Sequence, residues 1–338
     1  MPLPLVITAN AAVGKAWASH ATGVLAGLTA GLTFLIGLSL AFGLLKVTPQ
    51  GQPLGVGVGV MATAVVAALL ASRPVREVIA RVLPLDPDSP VHAYALVLAV
   101  ILFGSTVATT LFVNVLALDQ SQPPLTPADL AASELPYLVI ALFGVGLYMR
   151  RNVSGAAQRL GLVRPAWWQI AIALACAGAF FALTAAADQL AHVWTPQEAS
   201  QLDKTIQQVF GQLGNPLGVA AVAVLPGICE EILFRGALQP RLGLFVTAAL
   251  FTAIHTQYGI SLVALSVLVV AIGLGVIRKY TNTTTSMICH VTYNLLAGVG
   301  IASSLLGVAT GVEIGLVAVS GYALWLNRRR RGVPATIS

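Results

Sequence analysis

Residues 218–238 read GVAAVAVLPGICEEILFRGAL, a run long and apolar enough to cross a bilayer, yet it holds Glu230, Glu231 and Arg235 in its second half. The hydrocarbon core offers backbone N–H and C=O groups no water, so such a run is expected to be helical. Two adjacent carboxylates at that depth are costly, and ionisable residues inside a span mark a functional site by default. The chain has twelve acidic residues. Glu77, Asp86, Asp88, Asp119, Asp129, Glu134, Asp188, Glu198 and Asp203 are expected in connections or near helix ends, and Glu313 near the start of the last helix. Only the 230–231 pair is expected deep in a span.

Outward from this run the same composition continues. Hydrophobic residues make up 57% of the 338 and charged residues 9%, with a mean hydropathy of +0.87. A soluble domain is typically about a quarter charged. The expected fold class is therefore all-α, a polytopic transmembrane helix bundle in the cell membrane. Apolar runs of about 20 residues occur at roughly 21–45, 54–72, 93–118, 130–149, 167–186, 216–239, 241–257, 260–277, 283–305 and 308–326. Glu134 interrupts the fourth, and the seventh and eighth are short, so eight to ten spans are expected. The longest polar connection, about 187–215, is too short for an independent core, although it has room for a short helix.

Basic residues flank the apolar runs rather than forming a stripe, so the net charge of +6 does not point to nucleic acid. With the N-terminus placed in the cytoplasm and the spans alternating, 16 of the 18 basic residues fall inside, and only Lys46 and Lys204 fall outside. The positive-inside rule then predicts both termini in the cytoplasm. Arg328 to Arg331 read equally as a topology anchor, with the chance of touching anionic lipid, or as a solvated tail. The segment 150–166 reads as a basic, partly amphipathic linker able to lie along the interface. Gly23, Gly27 and Gly31 repeat every four residues and are expected to let another helix approach closely. Cys176, Cys229 and Cys289 all sit in apolar runs, and an odd count there argues against a disulfide framework. The first 19 residues lack a basic leading region, so no cleavable signal peptide is expected.

Three motifs carry the chemistry. Glu231 and Arg235 are four apart and share one helical face, which predicts a buried ion pair. Glu230 projects about 100° away without that partner, which makes it a candidate general base. His255 closes the run LFVTAALFTAIH, four residues after Phe251. His290 and Asn294, again four apart, present two polar groups on one face of an apolar helix. Asn294 has the donors to polarise a carbonyl oxygen; interhelical hydrogen-bonding is the alternative use. Helix rise sets Glu230 about 13 Å, His255 about 21 Å, His290 about 10 Å and Asn294 about 17 Å from the cytoplasmic ends of their helices, so a common site in the cytoplasmic half is expected. Cys229 and Cys289 precede motif residues but face elsewhere and read as small buried hydrophobes. His20, His92 and His192 lie at helix edges or in loops and receive no role.

In order, E-E-x-x-x-R (Glu230 to Arg235), F-x-x-x-H (Phe251 to His255) and H-x-x-x-N (His290 to Asn294) resemble the CPBP intramembrane proteases, which include the type II CAAX prenyl proteases and bacterial Abi-type proteins. The resemblance covers about 216–305. Phe234-Arg235-Gly236, the glycines Gly273 and Gly275, and the Leu160-Gly161-Leu162 linker before a Trp-led helix also fit it. It implies an intramembrane endopeptidase acting on a membrane peptide or protein. Carried over by position, Glu230 activates water, helped by His255; His290 and Asn294 stabilise the oxyanion; Glu231 and Arg235 hold the carboxylate helix. The family has also been described as metalloproteases. Glu230, His255 and His290 would then be zinc ligands, although H-E-x-x-H is missing and a metal-free glutamate–histidine mechanism fits equally. The resemblance divides the chain into N-terminal membrane helices with a basic linker (1–165), a CPBP-like catalytic bundle (166–306), and a last membrane helix with a basic tail (307–338). A transporter or channel relaying protons or cations through the same side chains, or a non-catalytic immunity or scaffold protein, are the competing readings.

Overall fold

The computed structural model describes residues 3–46 and 51–331, and among them the chain is helical throughout, with no β-strand. The order is α1 (Leu3–Ala11), α2 (Ala16–Ala41), α3 (Pro53–Ala71), α4 (Arg73–Ile79), α5 (Pro90–Phe112), α6 (Val115–Gln120), α7 (Pro127–Gly144), α8 (Val153–Leu160), α9 (Trp167–Trp194), α10 (Pro196–Phe210), α11 (Pro216–Glu230), α12 (Gln239–Leu242), α13 (Leu244–Ala253), α14 (Leu262–Tyr280), α15 (Thr283–Val299) and α16 (Leu306–Arg331). Local chemistry sets many of the starts. Proline occupies the first turn of α3, α5, α7, α10 and α11, where a missing N–H costs nothing. Ser89, Thr126, Asn152, Asn215, Ser261 and Asn282 cap the N-termini of α5, α7, α8, α11, α14 and α15 with their side chains.

Seven helical stretches are long and apolar enough to cross a membrane: His20–Ala41, Pro53–Ala71, Pro90–Phe112, Trp167–Trp194, Pro216–Leu242, Leu262–Tyr280 and Ser303–Asn327. This is fewer than the eight to ten expected, and the three runs that drop out are α7, α13 and α15. Helix α13 has ten residues, α15 has seventeen and opens with Thr283, Thr284, Thr285 and Ser286, and α7 carries Asp129 and Glu134. All three also pack against α11 or its continuation. Glu134, Thr283, Thr285 and Ser286 are buried against protein, whereas Asp129 at the start of α7 is exposed. Helices α2, α3 and α5 form a second packed group, and α16 leans on α9. The side chains of Arg328 to Arg331 and all of 332–338, where the basic tail is expected, lie outside the described residues.

The glycine repeat behaves differently from expectation. A Cβ on Gly23, Gly27 or Gly31 would meet nothing within 4 Å, so no described helix packs there. The close approach of α2 to α3 lies further along, where a Cβ on Gly37 would come within 2.8 Å of the Gly57 carbonyl.

Glycine matters most where α15 meets α11. A Cβ on Gly227 would lie 2.6 Å from Val291 Cγ2 and 3.1 Å from its backbone N. Only a hydrogen there lets the helix carrying His290 sit against the helix carrying Glu230. Gly227→Ala is therefore expected to destabilise the protein by about 1–3 kcal/mol through overpacking, read as a fall in unfolding midpoint in detergent. An unchanged midpoint would show that α15 is not held by this contact.

Candidate active site

Four elements converge on one region. Glu230 ends α11, and the helix then widens into a π turn over Glu231–Leu238 that carries Glu231 and Arg235. Such turns recur at functional sites because they re-aim side chains that a regular helix would space evenly. Helix α13 rises only about 15 Å before the chain turns at His255, so the histidine stops at mid-depth beside Glu230 instead of crossing. Unwound backbone at that depth is tolerated where it lines a cavity, and His255, Thr256, Gln257 and Tyr258 do so. Helix α15 supplies Ser286, His290 and Asn294.

Glu231 is fully buried and serves as the hub. Its Oε2 lies 3.6 Å from Arg235 Nε and accepts a hydrogen bond from Ser286 Oγ; its Oε1 lies 3.2 Å from His290 Nδ1. The Arg235 guanidinium, also fully buried, makes no hydrogen bond and instead sits 4.7 Å from the Phe251 ring centroid. Phe251 in turn packs edge-on to Phe234 at 5.4 Å and lies 4.7 Å from the His255 ring. The expected Glu231–Arg235 pair is thus present, and it reaches both histidines.

The ring nitrogens are assigned by their partners. His255 Nδ1 lies 2.8 Å from the Phe251 carbonyl, which only accepts, so Nδ1–H donates and Nε2 is left toward Glu230 Oε1 at 3.9 Å. His290 gives Nδ1–H to the Glu231 carboxylate and likewise keeps Nε2 free. Glu230 Oε2 is buried without a hydrogen-bond partner.

Asn294 has a second task. Pro226 has no N–H, so α11 cannot bond the Val222 carbonyl from four residues on. Asn294 Nδ2 donates to that carbonyl at 3.3 Å. One N–H of the amide remains for other use.

A cavity of about 590 Å³ joins these groups. Glu230, His255, His290 and Asn294 line it; Glu231 and Arg235 stand behind the wall. It runs from buried Glu230 and His290 to exposed Gln122, Gly214 and Gly298. The mouth therefore lies at the end of the bundle where α11 begins, beside α10 and the α6–α7 connection, not at the Leu242 end.

The sequence reading missed Glu134. It is neither in a connection nor at a helix end: it lies within α7, 7% exposed, and lines the same cavity with Asp119 nearer the mouth. Its Oε2 has no hydrogen-bond partner. Three carboxylates face the cavity, and among the described residues no lysine or arginine does. Glu134 stood in a run that was expected to be weak because of it; a carboxylate needing an interior face was the signal. Ser286 and Tyr258, whose ring stacks on His255 at 6.1 Å, had no sequence signal beyond their place near the motifs. Cys229 and Cys289 are buried and free, as expected.

Zinc was an expectation of the resemblance. Among the described residues no group of three or more His, Cys, Asp or Glu side chains is arranged to hold a metal ion. Glu230, His255 and His290 form no such group, so no step is derived through zinc.

Residues 212–296 match the family described as type II CAAX prenyl endopeptidase, Rce1-like. This stretch, about a quarter of the chain, holds all three motifs, so the resemblance to a family of membrane proteases holds over the carboxylates, both histidines and Asn294. The chain is also 25% identical over 158 residues, 45% of its own length and 78% of the relative's, to an uncharacterized protein of Bacillus subtilis (strain 168), YpbD. No solved structure matches.

The Pro226–Asn294 relation can be measured. Asn294→Leu leaves a carbonyl unpaired and is expected to destabilise by about 1–3 kcal/mol. In a Pro226→Ala background the substituted backbone has an N–H that can take the carbonyl, and there Asn294→Leu should cost less. Equal costs in the two backgrounds would mean that Asn294 does not cover the proline's gap.

Proposed function

We propose that the protein is an intramembrane endopeptidase that hydrolyses a peptide bond of a membrane peptide or protein by metal-free glutamate–histidine chemistry. The observation that supports it is the convergence of Glu230, His255, His290 and Asn294 on one cavity, in the stretch similar to CAAX endopeptidases. Glu230 is the general base. The 3.9 Å gap to His255 Nε2 is wide for a direct hydrogen bond and suits a bridging water. That water attacks the carbonyl carbon and gives a proton to Glu230; the proton then passes to the departing amine nitrogen as the C–N bond breaks. The carbonyl oxygen, negative in between, is met by the free Asn294 N–H and by His290 Nε2–H. That role requires His290 to carry both ring protons, and the Glu231 carboxylate on Nδ1 is the partner this form needs. Glu231 and Arg235 are positioning residues, since neither reaches the cavity.

The three cavity carboxylates favour a substrate segment that carries basic rather than acidic side chains near the cut. No residue here points to a prenyl group, so the modified cysteine of eukaryotic substrates is not part of the proposal.

Glu230→Gln is expected to lower cleavage by at least about 10²-fold at unchanged abundance. Terminal-peptide mass spectrometry on membranes from cells expressing either form reads this directly. Identical termini from both forms would leave the protein to transport or scaffolding. Glu134→Gln should keep cleavage while relaxing the preference for basic residues around the cut. An unaltered cut-site preference would remove Glu134 from substrate selection.

A further inference from the structure

At the opposite end of the bundle from the cavity mouth, four arginines and a histidine surround a second, smaller pocket of about 110 Å³. Arg150, Arg151, Arg159, Arg241 and His92 line it, and no carboxylate does. Every charged or ring group in that wall is a donor. The Asp86 N–H donates to His92 Nδ1 at 2.9 Å, which leaves His92 its proton on Nε2. The pocket also meets the N-terminus of α5 at Ser89, where the helix dipole is positive.

Capping explains part of this crowding. Arg151 donates to the Val145 carbonyl at the end of α7, and Arg159 Nη1 to the Gly236 carbonyl at 3.0 Å. It does not explain Arg241, whose Nε is buried without a hydrogen-bond partner. Nor does it balance the charge: burial, then the neighbouring charges of Arg241, Arg151, Arg278 and Arg150, push the Arg159 guanidinium down to about 10. Like charges gathered in one partly buried pocket call for a counter-anion.

The level of the pocket selects the anion. Its walls are the start of the span Pro90–Phe112 and the end of the span Pro216–Leu242, the depth at which headgroups lie. Phe245, three residues beyond the pocket-lining Leu242, is 71% exposed and offers an apolar surface suited to an acyl chain. We infer that this pocket is a binding site for the phosphate group of an anionic phospholipid, held by Arg241 and Arg150 as charge partners and by His92 as a neutral donor. The inference does not depend on the proposed protease activity. Because Arg159 ties the same pocket to the π turn through Gly236, the lipid would brace the segment that carries Glu231.

The test uses the full chain purified in detergent and titrated separately with phosphatidylglycerol, phosphatidylcholine and inorganic phosphate. Bound lipid is counted by native mass spectrometry and stability is followed by thermal unfolding. Phosphatidylglycerol is expected to bind saturably and raise the unfolding midpoint. Arg241→Gln, which breaks no hydrogen bond, should weaken that binding about fivefold, the weight of one arginine charge at a membrane surface. His92→Phe should weaken it in the same direction while leaving all four arginines in place, which keeps the test open if the arginine variant does not fold. Equal retention of phosphatidylcholine, or equal binding by both variants and the parent, would overturn the inference. A midpoint shift of the same size from inorganic phosphate alone would overturn the lipid as its source.

Discussion

A carboxylate buried where no water reaches must be surrounded by donors, and much of the packing among α11, α13 and α15 is arranged around that need at Glu231. Ser286 and His290 come from α15 and Arg235 from the turn below it. Arg235 needs a partner beyond one carboxylate oxygen, and Phe251 of α13 supplies its ring face. Three elements are thereby fixed to one oxygen pair. Removing a single member of such a network leaves a buried charge uncompensated, which is far worse than never burying it. Both candidate catalytic histidines are oriented as by-products of this arrangement: one donates to Glu231 itself, the other lies against Phe251.

Irregular backbone is the second theme. Pro226, the π turn after Glu230, the ten-residue α13 and the turn at His255 would each be unfavourable against lipid. Pro226 and the turn at His255 line the cavity and the π turn is buried from Glu231 to Gly236, while α13 buries Thr247, Ala248, Leu250 and Phe251 and leaves Phe245 exposed. Asn294 covers the carbonyl that Pro226 frees, so a residue proposed for chemistry also repairs the helix opposite. Proline at that position and asparagine on α15 are two halves of one solution. Gly227 lets the two helices come close enough for it to work.

The two ends of the span Pro216–Leu242 meet opposite electrostatics. Near its start the cavity presents Asp119, Glu134 and Glu230; near its end the small pocket presents arginines.

Much was legible in the sequence. Composition and run length give the helical membrane class, because the bilayer core forbids unpaired backbone. Spacing of four gives the Glu231–Arg235 pair, since a helix alone sets which residues share a face. The order of the three motifs gives the family resemblance. Other features depended on neighbours. The number of helices long and apolar enough to span fell because α13 stops at ten residues, α15 at seventeen, and α7 holds Asp129 and Glu134, helix bounds that apolar runs alone do not mark. Glu134 read as a breaker of its run but is a cavity wall, because burial of a carboxylate is decided by the helix opposite. The Gly23, Gly27 and Gly31 face has no described neighbour, while Gly37 does. His290 and Asn294 were read as a pair on one helix face; their actual partners are Glu231 and the Val222 carbonyl, on another helix. The sequence by itself determined what a single helix in lipid must be and which residues share its face. Tertiary structure alone decided which buried donor meets which buried acceptor, because in a medium without water those pairings can be made only between helices.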